Sequence, residues 1–184
     1  MGPQELLVLL EQCQTLFSRL STPATLTADV AWFCSVLSHD PPVYLYCLPE
    51  PWSRLDCCSR NVGEFIKARG GRMLCGYRVL LNERVYLEGI RHAIWTDGTE
   101  MRDVSFLETG EPRILFVPDS CAFDAVRRRV RFAQQAADKA LLEQYEALEY
   151  LLPQATVSDD VAWHSMQTYA QWQASRHKPS PFHR

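Results

Sequence analysis

The sequence has no long apolar run, and this absence argues against a membrane-spanning helix. No stretch approaches the roughly 20 consecutive apolar residues that such a helix needs. The first residues, Met-Gly-Pro-Gln-Glu-Leu-Leu, also lack the basic region and small-residue cleavage site of a secretory signal. We therefore expect a cytoplasmic protein with no membrane partner.

An excess of one charge and the usual cysteine motifs are missing as well. The formal net charge is −3 at pH 7, which gives no overall attraction to nucleic acid. The seven cysteines include no C-x-x-C pair and no Cys and His spacing typical of a zinc finger. This pattern predicts a reduced chain that needs no metal and no cofactor.

The composition that is present is that of an ordinary globular domain. The 184 residues are 47% hydrophobic and 22% charged, enough for one sizeable core and short for two. We predict a single α+β domain over residues 1–174. The polar, basic segment 175–184 contains two prolines and is predicted to be disordered.

Periodicity predicts where helices and strands lie. Apolar residues at helical spacing predict four helices besides the short one described below: one over 4–20, one after the cap Thr27, one from Ser120 to about Leu152, and one after the cap Ser158. Strand patterns cover Arg72–Leu81, Val85–Thr96, Met101–Phe106 and Ile114–Val117, and 43–47 is a strand or extended run. The sequence therefore predicts an antiparallel sheet of about four strands packed with N- and C-terminal helices.

A hairpin signal places a histidine beside a carboxylate. Asp97-Gly98 is a strong signal for a two-residue loop, in which Thr96 faces Thr99. In that register His92 lies directly opposite Asp103 on one sheet face, with Cβ atoms about 4.5–5.5 Å apart. Asp103 would then hold the imidazole in one orientation, and Asp97 in the turn is the alternative acid.

A short helix begins at a pair of cysteines. The pattern from Cys58 to Arg69 is helical and ends at Gly70-Gly71, with Val62, Phe65 and Ile66 as its apolar stripe. Cys58 falls on the core side, whereas Cys57 aligns with Asn61 and Glu64 on the exposed side. The helix N-terminus lowers the pKa of a thiol. Cys58, His92 and Asp103 thus form a candidate nucleophile, base and orienting acid.

The order of a helix-opening Cys58, a strand His92 and Asp103 on the next strand resembles the papain-like cysteine hydrolases. The NlpC/P60 and transglutaminase-like groups are the most similar in layout, and the resemblance covers residues 56–118. It implies a papain-like core that hydrolyses amide bonds of a protein or peptide substrate, as a deamidase, amidase or peptidase. No glutamine in a recognisable motif precedes Cys58, so backbone N–H groups at the helix start are the expected oxyanion donors.

Two other classes of function remain open at this point. The protein could be a non-enzymatic interaction module with an incidental or degenerate triad, using the long helix from Ser120 and the final helix as its surface. It could also be a nucleic-acid-associated protein using Arg127–Arg131. Consecutive helical residues spread around the axis, so a solvated helix face is the preferred interpretation of that run, and no nucleic-acid partner is expected.

Overall fold

The computed structural model describes Val8 and residues 20–82, 85–151 and 158–176. The helices are α1 (Ala28–Leu37), α2 (Cys58–Arg69), α3 (Ala136–Leu151), α4 (Asp159–Ser165) and α5 (Tyr169–Arg176). The strands are β1 (Val43–Tyr46), β2 (Arg72–Asn82), β3 (Tyr86–Thr96), β4 (Met101–Arg102), β5 (Arg113–Pro118) and β6 (Arg129–Phe132). The predicted α+β class is confirmed, and β1 lies within the run 43–47 that was predicted as a strand or extended. The predicted strand Met101–Phe106 is too long, since β4 ends at Arg102, and β6 was not predicted. No helix in the described ranges has the length and apolar content required to cross a membrane.

Some predictions fall wholly or partly on residues outside those ranges. The predicted helix over 4–20 lies almost entirely outside the described residues. Residues 177–184 of the predicted disordered tail also lie outside them, whereas residues 175 and 176 form the end of α5.

All six strands belong to one antiparallel sheet. Its order is β1-β5-β2-β3-β4, and β6 also pairs with β3. The register of β2 and β3 is continuous from Arg72 opposite Thr96 to Asn82 opposite Tyr86. Side chains of even number in β2, β3 and β5 therefore share one face, called the even face here, and those of odd number share the odd face.

Helices α1 and α2 cover the odd face. The α1 residues Val30, Phe33 and Cys34 pack with sheet residues Val79, Leu87, Leu115 and Val117. The predicted cap is confirmed, because Thr27 Oγ1 accepts a hydrogen bond from Val30 N. Further along β3, Val62 and Phe65 of α2 pack against Ala93 and Trp95. The predicted start, apolar stripe and end of α2 are confirmed, with Gly70 at φ 71° after the last helical residue.

The predicted register of the hairpin is wrong by two residues. Thr96 pairs with Met101, so the loop contains the four residues 97–100 rather than two. Asp97 Oδ1 accepts hydrogen bonds from Thr99 N and Glu100 N, and this side chain builds the longer turn. Side-chain direction in a strand has a period of two, so a two-residue shift leaves Asp103 facing the side of His92.

The predicted helix from Ser120 is wrong over its first part. Residues 119–128 are irregular and β6 pairs with residues 87–90 of β3, so α3 begins only at Ala136. Arg129 and Arg131 reach Glu88 on the even face, whereas Val130 and Phe132 pack on the apolar cluster under α1. This alternation is that of a strand, and β6 satisfies backbone groups that the edge of β3 would otherwise expose.

Helices α4 and α5 hold the loop that leads into α2. Ser158 caps α4 as predicted, but the single predicted helix is divided in two after Ser165. Leu55 N donates to Gln167 O, Tyr169 N to Ser53 O and Ala170 N to Pro51 O. These backbone hydrogen bonds fix the approach of the chain to Cys58.

Candidate active site

The chain turns sharply before α2 and presents Cys58 in the first helical turn. Asp56 has φ 56°, in the left-handed region that aspartate enters more readily than most residues. Cys57 is the N-cap and makes no side-chain capping bond. The first helical hydrogen bond runs from Asn61 N to Cys57 O at 2.8 Å. The N–H groups of residues 58–60 therefore have no acceptor within the helix.

A gap along the edge of β3 receives this helix end. Strand β6 pairs with residues 87–90 of β3, and β4 pairs with Trp95 and Thr96. Between them, Ala93 N–H donates to the sulfur of Cys58, and the Cys58 side chain is hydrogen-bonded to the His92 imidazole. These contacts hold the Cys58 thiol against β3, beside His92 and Ala93.

Asp103 lies on the other side of the imidazole. His92 Nε2 is 3.1 Å from Asp103 Oδ2, which leaves Nδ1 for Cys58. Asp103 Oδ1 accepts from Ser105 N at 2.9 Å, so the carboxylate is itself fixed. The exposed fraction is 5% for His92 and 1% for Asp103. The structure thus brings together all three residues predicted for the site, in the order Asp103, His92, Cys58.

The environment shifts the pKa values of Cys58 and His92 in opposite directions. Burial raises the pKa of the Cys58 thiol, but the charge and hydrogen bond of His92 and the Ala93 amide outweigh burial, so the pKa lies below its ordinary value. Burial lowers the pKa of His92, but Asp103 and Cys58 raise it to about 10. For Cys57, burial and the adjacent Asp56 carboxylate raise the pKa instead. Of the two adjacent cysteines, Cys58 has the lowered pKa and Cys57 the raised one.

Two arginines near the site are paired with carboxylates other than Asp103. Arg91 pairs with Asp119, and Arg102 pairs with Glu50 at 2.9 Å. The alternative acid Asp97 is exposed and accepts hydrogen bonds from the amides of its own loop. Asp103 is the carboxylate that contacts His92.

Asn61 is a positioning residue that sequence analysis placed wrongly. It was expected on the exposed side of α2, yet its exposed fraction is 0%. Its Oδ1 accepts from Arg54 N, and its Nδ2 donates to Arg54 O and to Ser105 Oγ. It therefore joins α2 to the loop before Cys58 and to the segment after Asp103. Its spacing of three residues from Cys58, which puts both on one side of a helix, was the available signal.

A cavity adjoins the three residues. Its volume is about 940 Å³, and it is lined by Cys58, His92, Ser105, Phe106, Arg78 and Ile90 among others. A second cavity of about 430 Å³ shares six lining residues with it: Asp56, Arg78, Ile90, Arg129, Arg131 and Glu149. The rest of its lining consists mainly of leucines, Tyr145 and the acidic residues Glu88, Glu108 and Glu111. Together they extend along the even face from Cys58 toward α3. A substrate lying there would meet the sulfur of Cys58 at one end.

Cys58, His92 and Asp103 lie in the order expected of a nucleophile, a base and an orienting acid. Within the described ranges, no group of three or more His, Cys, Asp or Glu residues is placed to hold a metal ion. No protein-family model, curated protein or solved structure matches the chain. The chemical interpretation of the site therefore depends on the chain's own residues and geometry.

Proposed function

We propose that the protein is a cysteine-dependent amide hydrolase with a papain-like core. The observation that carries the proposal is the hydrogen-bonded order Asp103, His92, Cys58 beside a cavity, with the pKa of Cys58 lowered and that of His92 raised. A buried histidine that was only structural would not need a partly buried thiol as its second partner. Perturbed titratable groups in a cleft are typical of catalytic sites.

In the proposed reaction, the Cys58 thiolate attacks the carbonyl carbon of an amide. A carbon–sulfur bond forms, and the carbonyl oxygen takes up the negative charge. When this intermediate collapses, the carbon–nitrogen bond breaks and His92 gives its proton to the leaving nitrogen. Water, deprotonated by His92, then hydrolyses the thioester and releases the acid and the Cys58 thiolate.

Asp103 and the start of α2 support these steps. Asp103 keeps the imidazole oriented and stabilises its charged form throughout. The N–H of Cys58 has no acceptor within α2 and lies at the positive end of the helix dipole. It would donate to the developing oxyanion, the role that a glutamine side chain shares in papain.

The chain order also supports a papain-like core, since a helix bearing the cysteine is followed by an antiparallel strand bearing the histidine, and the acid directly follows the next strand, β4. A protein or peptide substrate would suit the cavity along the even face. The leaving group would decide among deamidase, amidase and peptidase, because the same machinery releases either ammonia or an amine. The free thiols of Cys34, Cys47, Cys57, Cys58, Cys75 and Cys121 suit a reducing compartment such as the cytoplasm.

The adjacent cysteines provide a matched test. Brief treatment with iodoacetamide at about pH 6, well below the ordinary thiol pKa of about 8.5, should label Cys58. The label should persist in Cys57→Ala and be lost in Cys58→Ala, as shown by peptide mapping. Release of para-nitrophenolate from an activated ester should follow the same pattern. Labelling of Cys57 would move the nucleophile, and labelling of neither thiol in folded protein would favour a non-enzymatic interaction module.

A further inference from the structure

Arg78 lies on the even face, one strand away from His92. On β2, Gly76 is opposite His92 and Arg78 is opposite Ile90. Arg78 and His92 are therefore diagonal neighbours on one face, at the spacing of about 7–8 Å or somewhat less that is typical of such neighbours. Arg78 lines both cavities, at the place where they meet.

The other arginines that line the larger cavity are all neutralised by carboxylates. The pairs are Arg60 with Asp160, Arg91 with Asp119, Arg128 with Asp124, and Arg129 and Arg131 with Glu88 and Glu149. Arg78 differs from them, because it makes no hydrogen bond or ion pair with any residue in the described ranges. Its Nε is buried without a hydrogen-bond partner.

Three of the carboxylates that line the smaller cavity with Arg78 are engaged elsewhere. Glu88 and Glu149 bind Arg131, and Glu111 accepts from the amide and hydroxyl of Thr22. Asp56, which lines both cavities, and Glu108, which lines the smaller one, form no ion pair with Arg78. A partly buried guanidinium without a counter-charge is unfavourable, and its planar fork is suited to binding a carboxylate through two N–H groups.

We propose that Arg78 determines specificity by binding a carboxylate of the substrate. The substrate class is then an amide that carries a carboxylate near the scissile bond, either on the acyl part or on the leaving group. This inference rests on the proposed hydrolase function. It adds a substrate class that the three catalytic residues do not define.

Arg78 also has an electrostatic effect near the catalytic residues, which differs from binding a substrate carboxylate. Its charge also acts on Cys47, whose thiol lies 3.8 Å from Asp103 Oδ2. Arg78 could therefore influence Asp103 through space. Such an effect would change the turnover of every substrate alike, whereas carboxylate binding changes only that of substrates bearing the carboxylate.

Two matched pairs of esters distinguish these outcomes. The pair para-nitrophenyl hydrogen glutarate and para-nitrophenyl pentanoate differ by a carboxylate on the acyl part. The pair para-acetoxybenzoate and para-acetoxybenzamide differ by a carboxylate on the leaving group. For each pair, the ratio of kcat/KM is measured in the full chain, in Arg78→Gln and in Arg128→Gln. The last variant removes the same charge from the same cavity at an exposed residue that pairs with Asp124.

We expect the wild-type preference for the carboxylate in at least one pair to fall by roughly 10- to 100-fold in Arg78→Gln, the range for charged hydrogen bonds. Arg128→Gln should keep the preference, and the neutral esters should be little affected. Arg78→Lys should keep the fold and part of the preference, because the charge remains but the fork is lost.

Three results would overturn the inference. An unchanged ratio in Arg78→Gln would show that Arg78 does not bind the carboxylate. Equal slowing of both esters of each pair would assign Arg78 to the electrostatics of the catalytic residues instead. If no ester showed Cys58-dependent turnover, the proposed hydrolase function itself would fail, and the inference with it.

Discussion

The thiol of Cys58 and the imidazole of His92 titrate as a linked pair, so activity should depend on pH in a definite way. The pKa of Cys58 is lowered and that of His92 is raised to about 10. In the proposed mechanism, the active form combines the thiolate with the imidazolium and exists between these two pKa values. Cys58-dependent ester hydrolysis should rise as pH increases through the lowered thiol pKa and fall as His92 loses its proton. A kcat/KM profile whose rising limb lay at or above the ordinary thiol pKa of about 8.5 would contradict this.

Removing the charge of Asp103 should strongly reduce turnover while the protein still folds. Asp103→Asn keeps the shape of the side chain, so the protein should still unfold in one cooperative thermal transition, at a lower midpoint because the buried imidazolium loses its counter-charge. Turnover should fall by roughly 10³- to 10⁴-fold, because the imidazolium loses its counter-charge and its tautomer is no longer fixed. Because Asp103 raises the pKa of His92, the falling limb of the pH profile should move to lower pH.

Asp97→Asn is the control for this substitution. An asparagine oxygen can still accept hydrogen bonds from the Thr99 and Glu100 amides, so the loop and the activity should be nearly unchanged. Comparable losses in both variants would mean that the contact between Asp103 and His92 is not the functional one.

At the scale of residues, the three residues of the candidate site could be predicted from the sequence, but the residues that surround and position them could not. Cys58, His92 and Asp103 were predicted from residue type, helix start and strand period. The predicted loop length was wrong, but the register error was an even number of residues, so Asp103 still faces the side of His92. Asn61 and Arg78 were missed. Their environments depend on Arg54, Ser105 and the cavity, which are distant in sequence or defined only by the packed structure.

At the scale of elements, the hydrogen bonds of Asn61 hold α2 in place, so replacing Asn61 should lower the free energy of unfolding. Asn61→Ala removes hydrogen bonds to Arg54 N, Arg54 O and Ser105 Oγ in a buried setting. The free energy of unfolding should fall by about 2–4 kcal/mol. Labelling of Cys58 should also slow, since the loop before α2 loses its attachment.

The matched control lies one turn along the same helix. Glu64 pairs with Lys67 at the surface, so Glu64→Ala should change the free energy of unfolding by no more than about 0.5 kcal/mol. Urea denaturation measures both variants. Equal effects at the two positions would show that Asn61 is not a support of the helix.

The segment after Ser120 shows the limit of periodicity at this scale. Val126, Val130 and Ala133 lie at helical spacing, and this favoured one long helix. Residues Arg129–Phe132 also alternate charged and apolar, which is the pattern of a strand. Four residues are too few to decide between the two periods. The strand forms because the open edge of β3 offers backbone partners and Glu88 offers a carboxylate to Arg131. Neither partner is adjacent to this segment in sequence.

At the scale of the whole molecule, one group of ion pairs joins the sheet to α3. Arg131 on β6 lies 2.7 Å from Glu88 on β3 and 2.7 Å from Glu149 on α3. The exposed side-chain fractions are 3% for Arg131 and 2% for Glu88. The expected solvated face over Arg127–Arg131 is therefore wrong for Arg131. This residue joins β3, β6 and α3 behind the cavity.

Breaking this group should destabilise the whole domain. Among the described residues, Arg131→Met leaves the buried Glu88 with the half-exposed Arg129 as its remaining ion-pair partner, so the free energy of unfolding should fall by about 3–5 kcal/mol. Arg128→Met removes an exposed ion pair with Asp124 and should have an effect below about 1 kcal/mol. Adding Glu88→Gln to Arg131→Met should recover part of the loss, because the uncompensated charge is gone. Chemical denaturation measures all three. If Arg131→Met were as mild as Arg128→Met, α3 would be held to the sheet by its apolar contacts alone.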